Sequence, residues 1–169
     1  YKVINDLEIP HDAGVAIEYN VPQTAKRIDF MISGYDEMRN PGMVIVELKQ
    51  WDRIKKVESQ DALVETFTGG ACRKVVHPSY QAWSYAQLLK DSNAAVRDEV
   101  IDLKPCAFLH NYHRVANDPL DDAQYAEYTE AAPAYTMGQG AELKAFIKKI
   151  VKYGDNKEIL YKGDHCKIR

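Results

Sequence analysis

The sequence predicts an α/β fold with one central mixed β-sheet flanked by helices. Three observations lead there. Strand-like stretches follow one another between residues 15 and 49 with short connections, one of them the polar turn 35–42. The second half changes to helical spacing, interrupted by one short apolar run at 105–109. The chain has 169 residues, 46% hydrophobic and 28% charged, which suits one domain with a substantial core and excludes gross disorder.

Leu7 to Gly14, with Pro10 and Gly14, reads as an irregular lead-in. Val15–Val21 alternates apolar with polar or small residues, as a half-buried strand does, and Pro22 stops it. Arg27–Ile32 is a second strand, expected to end at Ser33-Gly34. Tyr35–Gly42 is a turn around Asn40-Pro41-Gly42. Met43–Lys49 is apolar on both faces until its end, as a central strand is. The short connections predict an antiparallel meander of these three.

Ala62–Thr68 is a further strand before the Gly69-Gly70 turn. Pro78 suits the first position of a helix running to about Leu89, with Tyr80, Trp83, Ala86 or Leu88 as its core stripe. Asn93–Leu103 is expected as a second helix and Pro105–Leu109 as a buried strand. Asp121–Ala131 reads as an acidic amphipathic helix. Ala141–Tyr153 reads as a basic one with Leu143, Phe146, Ile147 and Ile150 inward.

Composition narrows the function. No apolar run approaches the roughly 20 residues of a membrane helix, and the first six residues have no signal-peptide core. A first residue other than Met suggests a piece of a longer protein. Three cysteines at wide spacing (Cys72, Cys106, Cys166) argue against a disulfide framework and a zinc site, and for the reducing cytoplasm. A net charge of −3 does not announce a nucleic-acid binder, so such a partner must meet a local patch. From Glu142 onward eight basic residues face four acidic ones, a local balance of +4 that reads first as a solvated face.

The chemistry concentrates on two strands. Side chains alternate along a strand, so Glu47 and Lys49 share a face and Leu48 points the other way. If Asp29 pairs near Glu47, two carboxylates and a lysine converge at the end of an apolar strand. That is costly unless they are paired or bind a cation. Hard oxygen ligands suit Mg²⁺, and a lysine beside it can orient a hydroxide and offset charge growing on a phosphate.

Asp29 in Arg27-Ile28-Asp29-Phe30 and Glu47-Leu48-Lys49, 18 residues on, resemble the PD-(D/E)XK nuclease superfamily. The departure is Ile28, where many members carry Pro. Gln81-Ala82-Trp83-Ser84-Tyr85 is similar to the Gln-x-x-x-Tyr helix motif of RecB-like members, and its four-residue spacing puts Gln81 and Tyr85 on one helix face. Residues 14–112 further resemble a bacterial group in which such a domain precedes a helicase-like P-loop NTPase related to the Schlafen group-three helicases. The matching segments are Lys26–Phe30, Val46–Trp51, His77–Tyr85 and Lys104–Tyr112.

The resemblance implies a restriction-endonuclease-like fold, spanning 1–169 as one domain with the motor downstream. It implies hydrolysis of phosphodiester bonds, in DNA in preference to RNA, as the nuclease head of a nuclease–helicase protein. Asp29 and Glu47, with the Leu48 carbonyl and the upstream acid Glu18, would hold Mg²⁺ or Mn²⁺. Lys49 would position the attacking water, and Gln81 and Tyr85 would support the strand or the site. Expected partners are nucleic acid and the C-terminal helicase-like domain of the same polypeptide, with no membrane. The alternative is a non-catalytic nucleic-acid-binding or docking module attached to an NTPase. Gln50 has weak support as a site residue.

Other candidates have plainer readings. His77 is expected to cap the helix that follows it. His110 and His113 have no third ligand placed beside them and should face solvent or make hydrogen bonds. Cys106 should be an inert buried thiol. Trp51 and Trp83 read as packing residues, Trp51 being near enough to the site to stack.

Overall fold

The computed structural model describes residues 8–92, 101–156 and 158–159. Its elements in chain order are β1 (Gly14–Asn20), β2 (Arg27–Tyr35), β3 (Pro41–Lys49), β4 (Lys55–Lys56), β5 (Leu63–Thr68), β6 (Ala71–Val76) and α1 (Pro78–Ser92). There follow β7 (Asp102–Leu109), α2 (Ala126–Ala131), β8 (Ala134–Thr136) and α3 (Gly140–Ile150). A five-stranded sheet has the order β1-β2-β3-β7-β8, and β4-β5-β6 form a small second sheet. β1, β2 and β3 make the expected antiparallel meander, while β7 and β8 join parallel, so the main sheet is mixed.

β3 lies between β2 and β7, which is why its apolar run has no polar face. On one side of the sheet Phe30, Ile32, Val44, Val46, Cys106 and Phe108 pack on Leu143, Ile147 and Ile150 of α3. On the other, Met31, Met43 and Ile45 pack on Tyr85, Ala86 and Leu89 of α1. A third cluster, including Val64, Leu109, Leu120 and Tyr125, joins the small sheet to the main one.

Several elements differ from expectation for identifiable reasons. β2 runs through Ser33-Gly34 to Tyr35, because β3 pairs with it as far as Tyr35–Pro41, and the backbone of Tyr153 also bridges to Tyr35. A Cβ on Gly34 would overlap the Tyr153 carbonyl oxygen and Val151. The same pairing ends α3 at Ile150, before Tyr153. Gly69 and Gly70 both have positive φ, as a tight hairpin turn requires, and they lead into β6, whose exposed Ala71-Cys72-Arg73-Lys74 carries no strand alternation.

The stripe of α1 facing the sheet is Ala82, Tyr85, Ala86 and Leu89. Of the expected stripe only Ala86 is buried; Tyr80, Trp83 and Leu88 are half-buried on its flank. The expected helix over 121–131 is broken. Asp118 and Asp122 are extended and cap two 3₁₀ turns by accepting from the N–H groups of Leu120 and Gln124, so only 126–131 is α-helical. Residues 93–100 of the expected second helix lie outside the described residues, and Asp102-Leu103 belong to β7.

Among the described residues no helix is long and apolar enough to cross a membrane. Cys106 is fully buried and its thiol is pushed up by burial, whereas Cys72 is exposed. Cys166 lies outside the described residues.

Candidate active site

The site forms where β2 and β3 stop pairing. Their ladder ends at Phe30–Val46. The next N–H of β3 on that edge, from Leu48, donates instead to Asp29 Oδ2 at 2.7 Å. The Asp29 N–H in turn donates to Glu47 Oε1 at 3.4 Å. The two acids are thus held against each other by backbone donors, a firmer arrangement than flexible side chains meeting in solvent.

Alternation places the rest. Glu47 and Lys49 follow Met43 and Ile45 on the α1 side, while Leu48 packs with the cluster beneath α3. A cavity of about 460 Å³ opens there, lined by Asp29, Glu47, Leu48, Lys49, Gln81 and Tyr85, and also by Asn20, Ala25, Lys26 and Arg27. Gln81 Nε2 donates to the Tyr85 hydroxyl at 2.9 Å, one helical turn along α1. The Lys49 ammonium sits 5.0 Å from the Trp51 ring centroid, a cation–π contact that leaves the indole occupied.

Glu47 is 2% exposed. Burial, and next the negative charge of Asp29, push its carboxyl up to about 8, with Lys49 pulling the other way. Burial also raises the Tyr85 hydroxyl; the Gln81 hydrogen bond opposes this, and the Glu47 and Asp29 charges add to it. The raised value reflects burial first and the neighbouring carboxylate second, and Lys49 only partly offsets them.

Glu18 stands apart. The β1–β2 ladder pairs Ile17 with Phe30 and Tyr19 with Ile28 but skips Glu18, whose φ is +53°. It is exposed and does not line the cavity; Asn20 on the same strand does. Gln50 is exposed, and its carbonyl accepts from Asn111 Nδ2. Among the described residues no group of three or more His, Cys, Asp or Glu is placed to hold a metal ion. A cation here would therefore rest on two carboxylates, a backbone carbonyl and water, the usual manner for Mg²⁺.

Sequence reasoning does not single out Lys26 and Arg27 as site residues, although a basic pair directly ahead of Asp29 is legible. The basic face of α3 lies on the opposite side of the sheet. There Lys144 and Lys148 pair with Glu8, and Lys152 with Glu37. This fits a solvated face. Lys157, Lys162, Lys167 and Arg169 lie outside the described residues.

His77 is fully buried. Its Nδ1 accepts from the Ser79 N–H at the start of α1 and its Nε2 donates to the Leu120 carbonyl, so it is a cap and a cross-link. Burial lowers its imidazole to about 4. His110 is half-buried against Phe108, and His113 is exposed.

Comparison of the chain with protein-family models, with curated proteins and with solved structures finds no match.

Proposed function

We propose that the chain is a metal-dependent nuclease that hydrolyses phosphodiester bonds, in DNA before RNA, with Asp29, Glu47 and Lys49 at its centre. The observation that carries this reading is the Asp29–Glu47 pair. Two carboxylates are fixed by backbone donors in one polar cavity, over-charged for their surroundings, with a lysine on the same face. A divalent cation relieves that excess, and the hard oxygen donors suit Mg²⁺ or Mn²⁺.

When bound, such an ion supplies Lewis-acid activation of water and neutralises phosphate charge. The chain's own residues do the rest. Asp29 and Glu47 would hold the ion, Glu47 as its carboxylate. The Leu48 N–H fixes the Asp29 carboxylate. Lys49 donates hydrogen bonds to the phosphate oxygens as their charge grows, and orients the attacking water. Gln81 and Tyr85, linked to each other, orient the strand at the cavity wall. Lys26 and Arg27 attract the flanking phosphates. The link to a downstream helicase-like motor is proposed on the resemblance of residues 14–112.

The test is single-turnover cleavage of labelled single- and double-stranded DNA and RNA with Mn²⁺. Lys49→Ala is expected to lose on the order of 100-fold in rate while binding substrate within a few-fold of wild type. Equal rates for Lys49→Ala and wild type, or no cleavage by wild type, would hand the function to the docking-module reading. A thermal melt adds an independent check: millimolar Mn²⁺ should raise the Tm of wild type and leave Asp29→Ala unmoved.

A further inference from the structure

We propose that a groove along α1 binds the base of an unpaired nucleotide next to the scissile phosphate, stacking it on Trp83, with the tilted Tyr80 ring beside it. The proposal rests on the nuclease reading and names the form of its substrate. The groove, about 370 Å³, shares Lys26, Gln81 and Tyr85 with the cavity holding Asp29 and Glu47, so the two are one continuous depression. One side of their junction is polar and carries charges of both signs; the other is aromatic.

The aromatic rings are not there to fill the core. The sheet-facing stripe of α1 is Ala82, Tyr85, Ala86 and Leu89, while Tyr80 and Trp83 remain half-exposed beside it. They are nevertheless held in place. Their ring centroids are 5.8 Å apart, and Tyr128 of α2 lies 4.8 Å from Tyr80 and 5.6 Å from Trp83. A pre-oriented aromatic surface loses little entropy when a flat ligand stacks on it.

Charge decides which part of a strand goes where. Lys26 at the junction is exposed and suits a phosphate. The rest of the groove includes Val76, Trp83 and Leu88, apolar surface that suits the face of a base better than a phosphate. Bases within a duplex have both faces covered by their neighbours, so only an unpaired strand can offer one.

The experiment measures binding of the 169-residue chain in EDTA, where cleavage cannot occur. The probes are fluorescein-labelled oligothymidylate, a blunt DNA duplex, and an all-abasic oligomer of the same length. Trp83→Ala is expected to bind oligothymidylate about tenfold more weakly than wild type, and Trp83→Phe close to normally. Duplex and abasic binding should be unchanged by either. If Trp83→Ala does not fold, Tyr80→Ala replaces it, and wild type must still prefer oligothymidylate to the abasic oligomer.

Oligothymidylate affinity within twofold of wild type in the alanine variant, or an equal loss on the abasic oligomer, overturns the subsite. If wild type still cleaves, the nuclease reading survives that result. Trp83-dependent binding without any Mn²⁺-dependent cleavage overturns the nuclease reading alone. No binding of any probe overturns both.

Discussion

Folding places Glu47 among apolar strands with Asp29 as its neighbour, and its carboxyl rises to about 8 from an ordinary 4.5. The folded chain therefore holds a proton that the unfolded chain releases above pH 4.5. Stability from this group is complete below pH 4.5 and is lost as pH rises through 8, at no more than about 1.4 kcal/mol per pH unit. His77 has the opposite sign. Its folded value of about 4 lies under the ordinary 6.5, so its contribution is complete above pH 6.5 and lost below it. The interval from pH 6.5 to 8 separates the contribution of Glu47 from that of His77. In EDTA, wild-type Tm should fall across that interval, and Glu47→Gln should remain flat and melt several degrees higher at pH 8. Parallel Tm curves for the two proteins would mean that Glu47 is already charged in the folded state. The same residue shows what sequence can and cannot reveal. Its face and its neighbour Lys49 follow from strand alternation. The proton on it does not, because that depends first on how deeply the fold buries it and then on Asp29 being held beside it by the Leu48 N–H, details no spacing encodes.

At the level of elements, Gly34 is a position where close approach of backbone matters. Adding one methyl group there meets the backbone of Tyr153 and the side chain of Val151. Gly34→Ala should destabilise by about 1–3 kcal/mol in urea denaturation, with the β2–residue 153 pairing lost first. A cost under about 0.5 kcal/mol would mean that this junction gives way easily. Sequence alone puts Gly34 at the end of a strand; tertiary pairing makes it a strand interior. The strands β1 to β3 and β7, and the helices α1 and α3, are legible because their patterns span whole faces. β6 and β8 are not. β6 has a nearly fully exposed, unpatterned sequence, and β8 has only three residues after Pro133. The helix expected over 121–131 does not form as one piece because Asp122 caps a short turn in preference to joining a longer helix. The flank of α1 reads as core from sequence because size alone does not say which way Tyr80 and Trp83 turn. The small residues Ala82 and Ala86 are what let the helix approach the sheet.

The molecule as a whole keeps its two basic regions on opposite sides of the main sheet. Lys144, Lys148 and Lys152 are matched to Glu8 and Glu37, while Lys26, Arg27 and Lys49 border the cavity. Replacing Lys148 and Lys152 together with Ala should leave oligonucleotide affinity and single-turnover rate within twofold of wild type. Replacing Lys26 and Arg27 should weaken binding and reduce the slope of log affinity against log salt by about one for each phosphate no longer neutralised. Titrations at two salt concentrations decide it; a larger salt effect from the α3 pair would relocate the strand to that face. Among the described residues β1 is an edge of the sheet, and its Val15 and Ile17 are 37% and 50% exposed. The left-handed backbone at Glu18 divides the β1–β2 ladder into a four-residue and a two-residue stretch of regular pairing. A break in the regular backbone of an edge strand is one of the ways sheets resist pairing with a stray chain, so the kink at Glu18 has a consequence for solubility as well as for the site.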